Sequence, residues 1–186
     1  MRAQIYIQMK ELKEYEVSFF GLKEGLHIFE YKIGKQFFEA FNYDEFLGAD
    51  VSINLNLIKK STLLELHFSV KGTVKVACDL TNEPYDQPIN GILDMVVKFG
   101  NEYNDDNEEI IIIPHGSHQI NVSQYIYEMI VLATPNKKIH PGIEDGTLQS
   151  DILEKLEELK PKEKKSLKEI DPRWEDLKKL IIDKNT

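Results

Sequence analysis

The 186 residues include a single cysteine, Cys78, and a single tryptophan, Trp174. A lone cysteine excludes an intramolecular disulfide and any zinc finger built from cysteines. Nowhere do about eighteen apolar residues run together, as a membrane-spanning helix requires. The opening MRAQIYIQMK has no signal-peptide apolar stretch, so a soluble cytoplasmic protein is expected. Also missing are a G-x-S-x-G elbow, a phosphate-cradling P-loop and a G-x-G-x-x-G turn after a strand. Their absence argues against nucleophilic and nucleotide chemistry, and the expectation is a non-enzymatic protein without a cofactor.

Positive charge is the other shortage. Lys and Arg number 23 against 32 Asp and Glu, a net charge of −9. Residues 151–186 carry ten groups of each sign, so the first 150 hold 13 basic and 22 acidic groups and the whole of the −9. A body this acidic repels phosphate, which disfavours broad nucleic-acid binding. Neither DNA nor a membrane is expected as a partner, and any RNA contact is local or runs through a protein.

What the chain has in quantity is period-two patterning. Tyr15, Val17 and Phe19 alternate with polar residues; GLKEG (residues 21–25) reads as a turn, with Leu26, Ile28 and Tyr31 on a returning strand. In KQFFEAFN (residues 35–42), Phe37, Phe38 and Phe41 share one face of a short helix. Val51, Ile53, Leu55 and Leu57 mark a strand with one buried face. Leu66, Phe68, Val70, Val74, Val76, Cys78 and Leu80 keep even parity over fifteen residues, with Gly72 read as a bend or bulge. Residues 82–90, with two prolines, read as a loop. Leu93, Met95, Val97 and Phe99 resume the alternation; an acidic loop NEYNDDNEE and a buried strand at residues 110–113 follow. The pattern implies α+β architecture: a strongly curved antiparallel sheet or partly open barrel.

The period then changes to that of helices. Ser123 is the expected N-cap of a helix with Ile126, Met129, Ile130 and Ala133 at i, i+3, i+4 and i+7, packed on the sheet and ending before Thr134-Pro135. NKKIHPGIEDG (residues 136–146) reads as a loop. Asp151 opens an amphipathic helix with Ile152, Leu153, Leu156 and Leu159 on one side. After the linker PKEKKSLKE comes a last helix, capped by Asp171, with Pro172 at its first position and a stripe of Trp174, Leu177, Leu180 and Ile181. The expected division is a β-rich core over residues 1–147, with its helix near 123–133, and a helical, lysine-rich C-terminal tail over 148–186.

Few side chains carry chemistry. Cys78, His115, His118 and His140 would give zinc one sulfur and three imidazoles, but they lie on separate elements without a paired-ligand register. A buried Cys78 with loop histidines is the plainer reading, and no metal is expected. Glu102, Asp105, Asp106, Glu108 and Glu109 lack the ordered spacing and central glycine of a calcium loop and read as a solvated hairpin tip. On the last helix Arg173, Trp174, Lys178 and Lys179 form the expected partner- or RNA-binding set, by stacking and charge. Trp174 docking on the sheet is the competing reading.

Four segments, taken in order, resemble one family: VKVACDL (residues 74–80) with the strands before it, LDMVVKFG (93–100), INVSQYIYEMIVLATP (120–135) and DPRWEDLKKL (171–180). Together they are similar to the YceD family of large ribosomal RNA subunit accumulation proteins, over nearly the whole chain. The resemblance implies a bacterial cytoplasmic protein supporting accumulation of large-subunit (23S) ribosomal RNA and biogenesis of that subunit. It implies a ribosomal protein or pre-ribosomal large-subunit RNA as partner. Many members carry Cys-x-x-Cys in the central strand and more cysteines after the helix–proline segment; here Thr81 stands at the second position and residues 136–146 hold none. A zinc site is therefore not carried over. The rival expectations are a metal-dependent rRNA-processing enzyme and a chaperone-like interaction module without an RNA role.

Overall fold

The computed structural model describes residues 12–107, 109–148 and 150–159. After a 3-10 turn at Leu12–Tyr15, strand β1 (Glu16–Ser18) pairs antiparallel with β8 (Gln119–Asn121). The main sheet contains β2 (Gly25–Gly34), β3 (Gly48–Lys59), β4 (Leu63–Ala77), β5 (Pro84–Gly100), β6 (Asn104–Asn107) and β7 (Ile110–Pro114), in the order β2-β3-β4-β5-β7-β6. Helix α1 (Lys35–Ala40) joins β2 to β3, and α2 (Ser123–Ala133), α3 (Pro141–Glu144) and α4 (Asp151–Leu159) follow the strands. The chain divides into two compact units, Met1–Gln149 and Ser150–Thr186. The class is mixed α+β with a sheet core; the strand order is open, with β2 and β6 at its edges, and does not close as a barrel.

Alternation builds the core as expected. Val51, Ile53, Leu55 and Leu57 of β3 are buried opposite Leu66, Phe68 and Val70 of β4, with Leu55 paired to Phe68 and Leu57 to Leu66. On the other side of β4, Leu66 pairs with Met95 and Leu64 with Val97. Ile126, Met129 and Ile130 of α2 belong to this core. Phe37 and Phe38 of α1 anchor an aromatic group in which Phe41 stacks on Tyr127 with centroids 4.5 Å apart.

Several local expectations are corrected. β1 does not fold back on β2; its partner lies about a hundred residues on, because a three-residue strand takes its partner from tertiary context. In β2 the core parity is odd: Ile33 is buried and Leu26 and Ile28 are exposed. Gly72 is no bulge, since pairing runs unbroken through it to Val51 and to Ile89. It is glycine for space: a Cβ there would meet the Asp50 carbonyl oxygen at 2.3 Å and Val51 Cα at 2.6 Å. Leu80 lies beyond the strand and is exposed.

The supposed loop at residues 82–90 is largely strand, with Pro84 and Pro88 paired to Ala77 and Thr73. β5 has no strand neighbour other than β4 until Val96, among the described residues, and proline is tolerated where a strand has an unpaired edge. β7 runs parallel to β5 because β6 first carries the chain back along the outside, restarting the strand level with Val96. Part of the acidic stretch is thus the exposed edge strand β6, and Glu108 lies outside the described residues.

Candidate functional site

Cys78 sits where β4 gives way to a tight turn, closed by Cys78 N–H donating to the Glu83 carbonyl at 2.9 Å and Asn82 N–H to the Cys78 carbonyl at 2.8 Å. Asn82 takes a φ of 59°, in the left-handed region that asparagine tolerates. The loop after α2 is clasped to this turn. His140 N–H donates to Cys78 Sγ at 3.3 Å, Asp79 N–H to the Lys138 carbonyl at 2.8 Å, and Lys138 N–H to the Asp79 carboxylate at 2.7 Å. Lys138 Nζ reaches Glu45 at 2.7 Å, and this hydrogen bond holds the Glu45 carboxyl below its usual range.

That donor set does not fit a metal. Cys78 Sγ is occupied as an acceptor, and His140 Nδ1 accepts the Gly142 N–H at 2.9 Å as the N-cap of α3. Burial raises the Cys78 thiol, but hydrogen bonds from Thr81 and from the main chain at His140, Leu80 and Thr81 together bring it below its ordinary pKa. His115 and His118 stay in the turn between β7 and β8, where His118 packs edge-on against Phe20. Among the described residues no three His, Cys, Asp or Glu side chains gather as metal ligands. Of the four, Cys78 and His140 come together, but through the His140 main-chain N–H and not its imidazole. Arg173, Trp174, Lys178 and Lys179 lie outside the described residues.

A groove of about 550 Å³ runs between β5 and α2, with β6 and β7 at one end. Its apolar lining includes Ile92, Leu93 and Leu132, and Ile92 and Leu132 are 79% and 84% exposed. Asp105 and Glu128 supply charge at its wall. Asp105 accepts from Tyr103 Oη at 3.0 Å and Glu128 from Gln124 Nε2 at 2.9 Å; neither has a cationic partner among the described ion pairs. Tyr125 also lines the groove, and burial and a hydrogen bond with Tyr103 push its hydroxyl well above the usual range. Sequence reasoning missed this surface. Two signals pointed to it: Ile92 shares the outward parity of Asp94 and Lys98, and Leu132 stands off the Ile126–Met129–Ile130–Ala133 stripe.

No helix among the described residues is long and apolar enough to cross a membrane. No curated protein and no solved structure matches the chain. The family model described as large ribosomal RNA subunit accumulation protein YceD matches residues 66–181, a span that contains residues 74–80, 93–100, 120–135 and 171–180 but leaves out β1, β2, β3 and the start of β4, so it is shorter than the nearly whole chain over which the resemblance was drawn. With well over half of its length matched, the chain belongs to the YceD family.

Proposed function

We propose that this protein is a non-enzymatic, cytoplasmic factor that supports accumulation of large-subunit ribosomal RNA by binding a basic ribosomal protein. The family's description supplies the large-subunit role. The binding mode rests on one observation: the groove beside β5 is apolar along its floor and carries carboxylates, Asp105 and Glu128, that no cation of the described residues neutralises. Such a surface offers a lysine- or arginine-rich protein both buried apolar area and opposite charge, while it repels phosphate. Pre-ribosomal RNA is then reached through the bound protein, or locally through Arg173, Trp174, Lys178 and Lys179 of the tail.

The test is a tagged pull-down from growing cells, with and without ribonuclease, read for ribosomal RNA and proteins. Retention of large-subunit proteins after ribonuclease is the expected outcome. Loss of all ribosomal material on ribonuclease treatment would mean contact through RNA and would overturn the binding mode. Partners that include no ribosomal protein in either arm would overturn the large-subunit role and favour a general interaction module.

A further inference from the structure

One strand edge in the middle of the fold has no strand beside it. β7 pairs with β5 from Val96 to Gly100; from Pro84 to Met95, among the described residues, β5 has β4 alone. Strand geometry fixes which main-chain groups lie on the open side. Val96 N–H donates to the Glu109 carbonyl at 2.8 Å, on the side away from β4. Hydrogen-bonding direction alternates along a strand, so Asn90, Ile92 and Asp94 point their N–H and C=O the same way. Pro84 and Pro88 share that parity, which is why a missing N–H at those positions leaves the β4 ladder intact. This open edge at Asn90 and Ile92 borders the groove lined by Leu93, Leu132, Asp105 and Glu128.

We propose that this groove takes an extended, basic segment of a partner protein, which adds to β5 as a strand in the track that β7 vacates. Main-chain bonds to Asn90, Ile92 and Asp94 supply the pairing, as in other cases of strand addition. Alternate side chains of the segment then face the apolar groove lining, including Leu93 and Leu132, while lysines or arginines meet Asp105 and Glu128. At about 3.3 Å per residue, the six positions from Asn90 to Met95 accommodate a segment of about 20 Å. The charge argument selects this occupant over RNA, whose phosphates the same carboxylates repel, and over a second copy, which would bring its own Asp105 and Glu128 to the contact. The proposal rests on the reading of the protein as a binder of basic protein and adds where and how the segment lies.

The experiment uses the full chain and a fluorescein-labelled eight-residue peptide of alternating lysine and valine, with a glutamate–valine peptide beside it. The lysine peptide is expected to bind, the glutamate peptide to bind at least tenfold more weakly, and bound peptide to slow amide exchange at Asn90, Ile92 and Asp94. Ile92→Pro removes one outward N–H at the parity of the native Pro84 and Pro88 and is expected to weaken binding about tenfold. The double variant Asp105→Asn/Glu128→Gln is expected to weaken it severalfold and to flatten its salt dependence. No binding, binding that leaves those amides unprotected, or equal affinity of Ile92→Pro would overturn the proposal. So would preferential binding of a single-stranded RNA oligonucleotide at this edge, or self-association of the chain that Ile92→Pro abolishes. The two readings fail separately: ribosomal proteins retained in the pull-down with no peptide bound removes the groove alone, and peptide bound without ribosomal proteins removes the large-subunit role alone.

Discussion

At Cys78, burial and hydrogen bonding pull the thiol in opposite directions, and the donors around it win. A thiol whose folded pKa lies below its unfolded value adds stability that is fully present above the unfolded pKa and is lost as pH falls through the folded one. The difference in unfolding free energy between the wild type and Cys78→Ala should therefore grow from neutral pH to pH 9, read from urea melts of both proteins at each pH. At neutral pH the alanine variant should already be less stable by about 1–3 kcal/mol, since the inward-facing His140 N–H loses its acceptor. A difference that shrinks with pH would show that burial dominates the thiol. Even parity in the sequence was enough to place Cys78 in the core. The His140 contact was not legible there, because 62 residues separate the partners and the bond uses a main-chain N–H that any residue would supply.

Among the elements, long alternating strands were the most legible and short ones the least. β3 and β4 each bury four or more residues of one parity, so tertiary packing and local pattern agree. β1 has three residues, and its pairing with β8 is a tertiary choice that no local pattern encodes. The start of α2 shows the same limit at finer grain. Ser123 was expected as the cap, but it is the first helical residue; the N-cap position is Val122, which has no capping side chain, and the oxygen that takes the Ser123 N–H comes from Asn121 one residue earlier. Asn121 Oδ1 accepts Ser123 N–H at 2.9 Å and Ser123 Oγ–H at 2.6 Å, while its Nδ2 donates to the Leu12 carbonyl at 3.1 Å. One side chain thus satisfies the helix terminus and ties β8 to the turn before β1. Asn121→Ala should cost about 1–2 kcal/mol in urea unfolding, and Ser123→Ala clearly less, because alanine at that position keeps the main-chain bond. The reverse order would return the cap to Ser123.

For the molecule as a whole, charge and core are segregated in the same way. Every buried apolar side chain among the described residues lies between Tyr15 and Ile130, and the first 150 residues carry the full net charge of −9. The acidity was plain in the composition, but its delivery to one groove was not. That depends on β6 bringing Asp105 to the groove that α2's Glu128 also lines, a placement set by strand order rather than by spacing. Because the second unit begins at Ser150, a chain ending at Gln149 keeps the whole described core and its charge. Its thermal midpoint should fall within about 4 °C of the full chain, the shift that about 1 kcal/mol produces in a domain of this size. If the groove and not the tail holds the partner, the shortened chain should bind the lysine–valine peptide within about twofold of the full chain, and raising salt from 50 to 300 mM should weaken both alike as the carboxylates are screened. A shortened chain that folds with an unchanged midpoint but loses the peptide would assign binding to residues 150–186, making Arg173, Trp174, Lys178 and Lys179 the side chains to replace next.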